Sequence, residues 1–211
     1  MLAKPWMRIA LVIDDDSRPM PVGQLLPAIK NEIRRGGATL GQISLVPAIG
    51  VPNTMREAAF ARRVDENIFS GLHWEARDCD SPDKLAYLGM TKRSTPVFIR
   101  KVVAKPDLII SVGCIELHII VSIGGSYKNL VPCVAGWATI ANNQSLNCRP
   151  ATFNRVGQPN GSSPMRWTVS KLVCPTPGAN SPAKQKCWSS HTAVVRIQSC
   201  QIKQTAALVR R

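Results

Sequence analysis

A chain of 211 residues with 45% hydrophobic content can bury one substantial core, with room for an appended segment. Its net charge of +14 would suit a nucleic acid or membrane surface, but residues 1–146 carry 17 Lys+Arg against 13 Asp+Glu, whereas residues 147–211 carry 10 and no acid. The basicity therefore belongs to the tail, nucleic acid is not an expected partner of the folded part, and no apolar run approaches the length of a membrane span.

Arg8 to Ile13 is a β-branched apolar run that breaks at Asp14-Asp15-Asp16. Val22, Leu25, Leu26, Ile29 and Ile33 then recur at helical spacing before Gly36-Gly37, so the segment reads strand, turn, helix and glycine stop. Ile43 to Ala48 is a second buried-type strand, after which Asn53-Thr54 can cap a helix carrying Ala58, Ala59, Ala61 and Val64. Further strands are predicted near His73 to Ala76, Val97 to Val102 and Leu108 to Val112, with a helix over Ala135 to Leu146. Apolar strands alternating with helices predict an α/β fold with a parallel sheet covered on both faces.

The final 65 residues hold no carboxylate, which is unusual for a folded surface. A disordered arm that binds polyanions is one reading. The other is a segment out of reading frame beyond Arg166, which the scatter of the basic residues favours. The expected division is a domain over 1–166 and a basic tail of uncertain fold over 167–211. Seven cysteines, an odd number with no C-x-x-C pair, argue against a zinc site or disulfide framework and fit a reducing cytoplasm. The apolar run within Met1 to Ile13 is too short for a signal peptide.

Open parallel sheets bind ligands at the carboxyl ends of their strands. Asp15 and Arg18 follow the first predicted strand, Pro52 the second, and His118 and Lys128 the last, so these loops are expected on one edge. Between His118 and Lys128, Gly124 and Gly125 permit positive φ and close backbone approach, leaving room for a bulky anionic ligand that the lysine can reach. Arg18 can grip a carboxylate or phosphate with a bidentate fork, and His118 suits proton transfer near neutral pH.

These residues carry a resemblance. Glu116-Leu117-His118, Gly124-Gly125-Ser126-Tyr127-Lys128, Pro132-Cys133-Val134-Ala135-Gly136 and Thr139-Ile140-Ala141-Asn142-Asn143-Gln144-Ser145 resemble the signature loop of the nickel-dependent lactate racemases. That loop reads roughly E-P-H, A-G-F-G-G-G-x-K, P-G-V-A-G and T-I-x-x-N-H-S. Asp15-Asp16-Ser17-Arg18-Pro19, the stretch from Leu88 to Val97, and Ala151-Thr152-Phe153-Asn154 to Pro164-Met165-Arg166 resemble further family segments in the same order. The likeness runs from about Ile9 to about Arg166, only the first part of a family enzyme.

The resemblance implies a Rossmann-like α/β amino-terminal domain of the lactate racemase type, acting on a 2-hydroxy acid such as lactate. The implied chemistry is racemisation by hydride transfer to a nickel pincer nucleotide made by cofactor-synthesis proteins. It implies Lys128 as the covalent attachment point, with Asp15, Gly124 and Gly125 as cofactor-binding residues, Arg18 at the substrate and His118 as an acid/base. Four departures accompany it: Pro52 where a catalytic histidine belongs, Gln144 where a metal-binding histidine belongs, and Ser126 and Cys133 for glycines. Asn53, Thr54 and Arg56 are assigned no catalytic role. The alternatives are a catalytically inactive truncated remnant of such an enzyme and a polyanion-binding protein using the basic tail.

Overall fold

The computed structural model describes residues 3–18, 20–50, 57–75, 81–91, 94–114, 117–118, 122–123, 128–147, 186–189 and 192–198. In chain order its elements begin with β1 (Ile9–Asp14), α1 (Val22–Arg35), β2 (Ile43–Ala48), α2 (Glu57–Val64), α3 (Glu66–Phe69) and β3 (His73–Trp74). There follow β4 (Leu85–Met90), β5 (Pro96–Arg100), α4 (Lys101–Ala104), β6 (Leu108–Cys114), β7 (Leu117–His118) and β8 (Ser122–Ile123). An irregular helical turn over Asn129–Cys133 leads into α5 (Trp137–Asn147), and β9 (Lys186–Ser189) and β10 (Thr192–Gln198) come last.

One six-stranded sheet has the order β3-β2-β1-β6-β10-β9. Its first four strands are parallel, with Ile9 opposite Ile43 and Leu108, and Ile13 opposite Pro47 and Val112. Every residue of β1 is buried, as a strand covered on both faces requires. Side chains alternate across it. Ile9, Leu11 and Ile13 pack with Leu26, Ile29 and Ile33 of α1 and Phe60 and Val64 of α2, whereas Ala10 and Val12 pack with Val97, Ile99, Leu130, Val131 and Ile140 on the opposite face. The apolar period of α1 thus serves one layer, and the turn before α5 serves the other.

The expected elements β1, α1, β2 and β6 stand within a residue or two of their predicted bounds, and α5 begins two residues later than predicted. The strand near Val97 departs from expectation, because it does not join the parallel sheet. It pairs antiparallel with β4, Tyr87 opposite Phe98 and Met90 opposite Pro96, as a separate two-stranded ribbon. The reason is connection length: a parallel crossover needs about a dozen residues or more, whereas the few between Met90 and Pro96 suffice only for a hairpin. Thr91 closes that hairpin through its N–H to the Thr95 carbonyl at 2.9 Å, and its hydroxyl accepts from the Thr95 N–H at 3.1 Å. Thr95 then donates to the Asn142 side chain at 2.6 Å, which stitches the ribbon to α5.

Part of the segment expected as a basic tail also adds to the sheet. β10 lies antiparallel to β6, Val194 opposite Val112 and Gln198 opposite Leu108, and β9 extends the edge. The β-branched run Thr192-Ala193-Val194-Val195-Arg196-Ile197 has the composition such a strand favours. An antiparallel edge strand on an otherwise parallel sheet is a common ending.

Phe60 is fully buried and meets Phe69 edge to face at 6.0 Å and Trp74 at 5.6 Å, closing the layer over β2 and β3. Replacing it with alanine is expected to cost about 3–5 kcal/mol in urea unfolding without changing the denaturant slope. A loss below about 1 kcal/mol would mean that this layer is not packed as described.

Candidate functional site at the carboxyl edge of the sheet

β1 ends in Asp14, a residue 4% exposed whose side chain joins β1 to α2 and β6. Its Oδ1 accepts from Nη2 of Arg63 on α2 at 2.8 Å, and its Oδ2 accepts from the backbone N–H of Cys114 at the end of β6 at 3.0 Å. Arg63 also donates through Nε to the Asp14 carbonyl at 3.2 Å. Burial pushes the Asp14 carboxyl above the usual carboxylate range, and Arg63 and the Cys114 N–H pull against that shift without cancelling it. Desolvation therefore outweighs the attraction, so the pair contributes geometry more than net stability.

Past Asp14 the chain turns. The Ser17 N–H and hydroxyl both donate to Oδ1 of Asp15, with the N–H at 3.1 Å, and the Arg18 N–H donates to the Asp15 carbonyl at 3.3 Å. An aspartate bonded to the backbone two residues on is a self-closing turn, and it sets Arg18 half-buried at the strand end.

Opposite this turn stands the segment that carries Lys128. Asn129, 4% exposed, donates from its side-chain amide to the Val112 carbonyl of β6 at 2.8 Å. At its far end, the Cys133 carbonyl accepts from the Gly50 N–H just past β2 at 3.0 Å. Gly50 has φ of +69°, and a side chain there would meet the Cys133 sulfur at 3.6 Å, so this contact uses glycine's freedom. The Lys128 turn is thereby fastened to both β6 and β2.

Lys128 is half-buried, and its amine lies in electrostatic reach of Arg18, Asp14, Asp15 and Cys133. Burial lowers its pKa from 10.5, and the Arg18 charge lowers it further, while Cys133, Asp15 and Asp14 oppose the shift. Burial also pushes the Cys133 thiol up to about 11. A neutral thiol at physiological pH supplies no counter-charge, which leaves the two aspartates as the anions facing the amine. The result is a pair of cations held against fixed carboxylates, suited to an anionic ligand, with a lysine that holds its proton less tightly than a solvated one.

Asp15, Arg18 and Lys128, expected on one edge from the sequence, are indeed brought to the same edge. For His118 the backbone is described, paired with Ser122 in the short β7–β8 ribbon, while its side chain lies outside the described residues. Gly124, Gly125, Pro52, Asn53, Thr54 and Arg56 also lie outside them. Gln144 is half-buried on α5. Among the described residues, no group of three or more His, Cys, Asp or Glu could hold a metal ion. Sequence reasoning missed Arg63 and Asn129. One available signal was a charge beside the apolar positions Phe60 and Val64 of α2, and the other was a lone amide ahead of Leu130-Val131.

An α/β domain with a semi-buried lysine–arginine pair at the carboxyl edge of a parallel sheet is the class this geometry defines. Residues 1–153 match the model of the lactate racemase N-terminal domain, and the chain belongs to that family. It is similar to the lactate racemase of Lactiplantibacillus plantarum, 25% identical over 144 residues that cover 68% of this chain and 34% of the relative. The lactate racemase of Thermoanaerobacterium thermosaccharolyticum is 22% identical over 156 residues, 74% of this chain and 36% of the relative. The chain therefore spans about a third of the length of these curated relatives.

Among solved structures, the lactate racemase apoprotein of Thermoanaerobacterium thermosaccharolyticum superposes with a TM-score of 0.69 at 16% identity, over 96% of this chain and 49% of that one. A crystal structure of a Thermotoga maritima protein gives 0.55 at 14% identity, over 96% and 54%. At these identities the likeness is one of fold. It agrees with the α/β architecture described above.

Asp14→Ala would strip Arg63 and the Cys114 N–H of their shared partner, and is expected to cost about 3–5 kcal/mol in urea unfolding. Replacing Asp14 and Arg63 together by leucine and methionine should cost clearly less, since no charge is then left buried alone. Equal losses for the single and double variants would show that the pair is not a coupled, desolvated unit.

Proposed function

We propose that this chain is the cofactor-bearing, amino-terminal part of a 2-hydroxy acid racemase or epimerase of the lactate racemase type, with Lys128 as the point of covalent attachment of a nickel pincer nucleotide. The observation that carries the reading is the placement of a half-buried Lys128 amine beside Arg18, Asp14 and Asp15 at the sheet edge, where burial lowers its pKa. An amine must be neutral to form an amide-like link, and burial raises its neutral fraction.

The described residues fit the organic part of such a group and fit its metal less well. Lys128 offers the anchor, and Arg18 a fork for phosphate or for the carboxylate of a hydroxy acid. Nickel favours imidazole nitrogen, and the resemblance sets Gln144 at the position of the family's metal-binding histidine. When bound, the group would supply an acceptor and donor of hydride for the carbon that bears the hydroxyl.

The protein's own work is then to orient and to move a proton. Arg18 holds the carboxylate, Asp15 fixes the turn that presents Arg18, and His118 takes and returns the hydroxyl proton. Pro52 has neither proton nor lone pair to offer on the other face of the carbon. A second reading, a chain that keeps the tether and no longer isomerises, is favoured by Pro52 and Gln144 together. The partners on either reading are cofactor-synthesis proteins and, on the first, a small hydroxy acid, in a cytoplasmic setting suited to the free thiols of Cys114 and Cys133.

Intact-mass and peptide analysis of protein made alongside the cofactor-synthesis machinery tests the tether. The expected result is added mass confined to the peptide holding Lys128 and absent from Lys128→Arg. An unmodified Lys128 under conditions that load a full-length relative would end this reading.

A further inference from the structure

Asn129 is adjacent in sequence to Lys128 and is one of the buried polar residues among those described. Its amide bond to the Val112 carbonyl falls two residues before Cys114, whose N–H is held by Asp14. The last three residues of β6 thus join the lysine-bearing turn on one side to the Asp14 carboxylate on the other. Asp14 and Asp15 belong to the anions that face the Lys128 amine, and Arg18, two residues past Asp16, is the facing cation.

The opposite end of the turn is fixed independently, by the Gly50 N–H on the Cys133 carbonyl, and its apolar residues Leu130 and Val131 are fully buried. Those contacts hold Leu130 to Cys133, which lie beyond Lys128 in the chain. Among the described hydrogen bonds, the Asn129 amide is the one that ties the Lys128 end of the turn to the sheet.

We infer that Asn129 is the positioning residue of this site: through Val112 it fixes how deeply the Lys128 amine is set at the sheet edge. A shallower amine keeps its proton to higher pH, because burial disfavours the charged form. The inference deepens the proposed role of Lys128 as an attachment point. It concerns the amine itself and can be tested without any cofactor. A tether that never forms would leave it standing, and an Asn129 without influence would leave the tether standing.

Asn129→Leu keeps the volume and removes the donor, whereas Asn129→Ser keeps a donor too short to reach Val112. The test is competitive acetylation of the full chain by acetic anhydride across a pH series. Modification of Lys128 is read by mass spectrometry against the exposed Lys84 and Lys105. In the wild type, Lys128 should reach half-reactivity below pH 10.5, the ordinary lysine value. In both variants that midpoint should move upward, and a shift of one unit corresponds to about a tenfold fall in the neutral fraction below it.

Ile33→Val, a loss of core volume in α1 on the opposite face of the sheet, serves as the control for lowered stability and should leave the Lys128 midpoint unmoved. Should Asn129→Leu fail to fold, the serine variant decides alone. Wild-type midpoints in the folded Asn129 variants, or an equal shift in Ile33→Val, would overturn the inference.

Discussion

One carboxylate organises this edge of the molecule. Asp14 closes β1, receives the terminal N–H of β6 and anchors Arg63 of α2, so two adjacent strands and a covering helix end at a common point. Parallel strands have no hairpin to align their ends, and their loops leave in different directions. A buried acceptor shared among them supplies that alignment. Burial pushes its pKa up against the pull of Arg63 and the Cys114 N–H, so desolvation is the larger effect, as suits a site that needs position more than stability.

Much of the frame was readable in advance because its signals are local. β1, β2 and β6 are mostly apolar runs of six or seven residues, each with a single charged or hydroxyl residue, and α1 repeats its apolar residues at helical spacing. The β4–β5 ribbon was not, since Leu85-Ala86-Tyr87-Leu88, half-buried apart from the exposed Tyr87, has no strict alternation and a bulge between Tyr87 and Gly89 interrupts its register. The strand at Thr192–Gln198 was obscured by the charge imbalance of the segment around it. Composition speaks to solubility and partners and says little about whether five β-branched and aliphatic residues will join a sheet.

The site divides along the same line. Asp15, Arg18 and Lys128 could be named from motif spacing and from the rule that parallel sheets bind at their carboxyl ends. Arg63 and Asn129 were marked only by a charge or an amide beside apolar positions, and the Gly50–Cys133 contact by nothing, because each depends on a partner dozens of residues away or on a backbone carbonyl with no sequence signature. Such groups set the position and proton affinity of the residues a motif identifies. The family signature thus names the lysine, and the surrounding fold gives it its chemistry.

The central claim is that this edge of the sheet holds Lys128 deep enough to weaken its grip on a proton. A carbon-13 NMR titration of the lysine ε-carbons, with the Lys128 signal assigned by its loss in Lys128→Arg, measures that grip directly. The account requires a midpoint below 10.5, because both burial and Arg18 disfavour the charged form. A midpoint at or above 10.5 in the folded chain would mean that Asp14 and Asp15 dominate, or that the amine is solvated, and would contradict it.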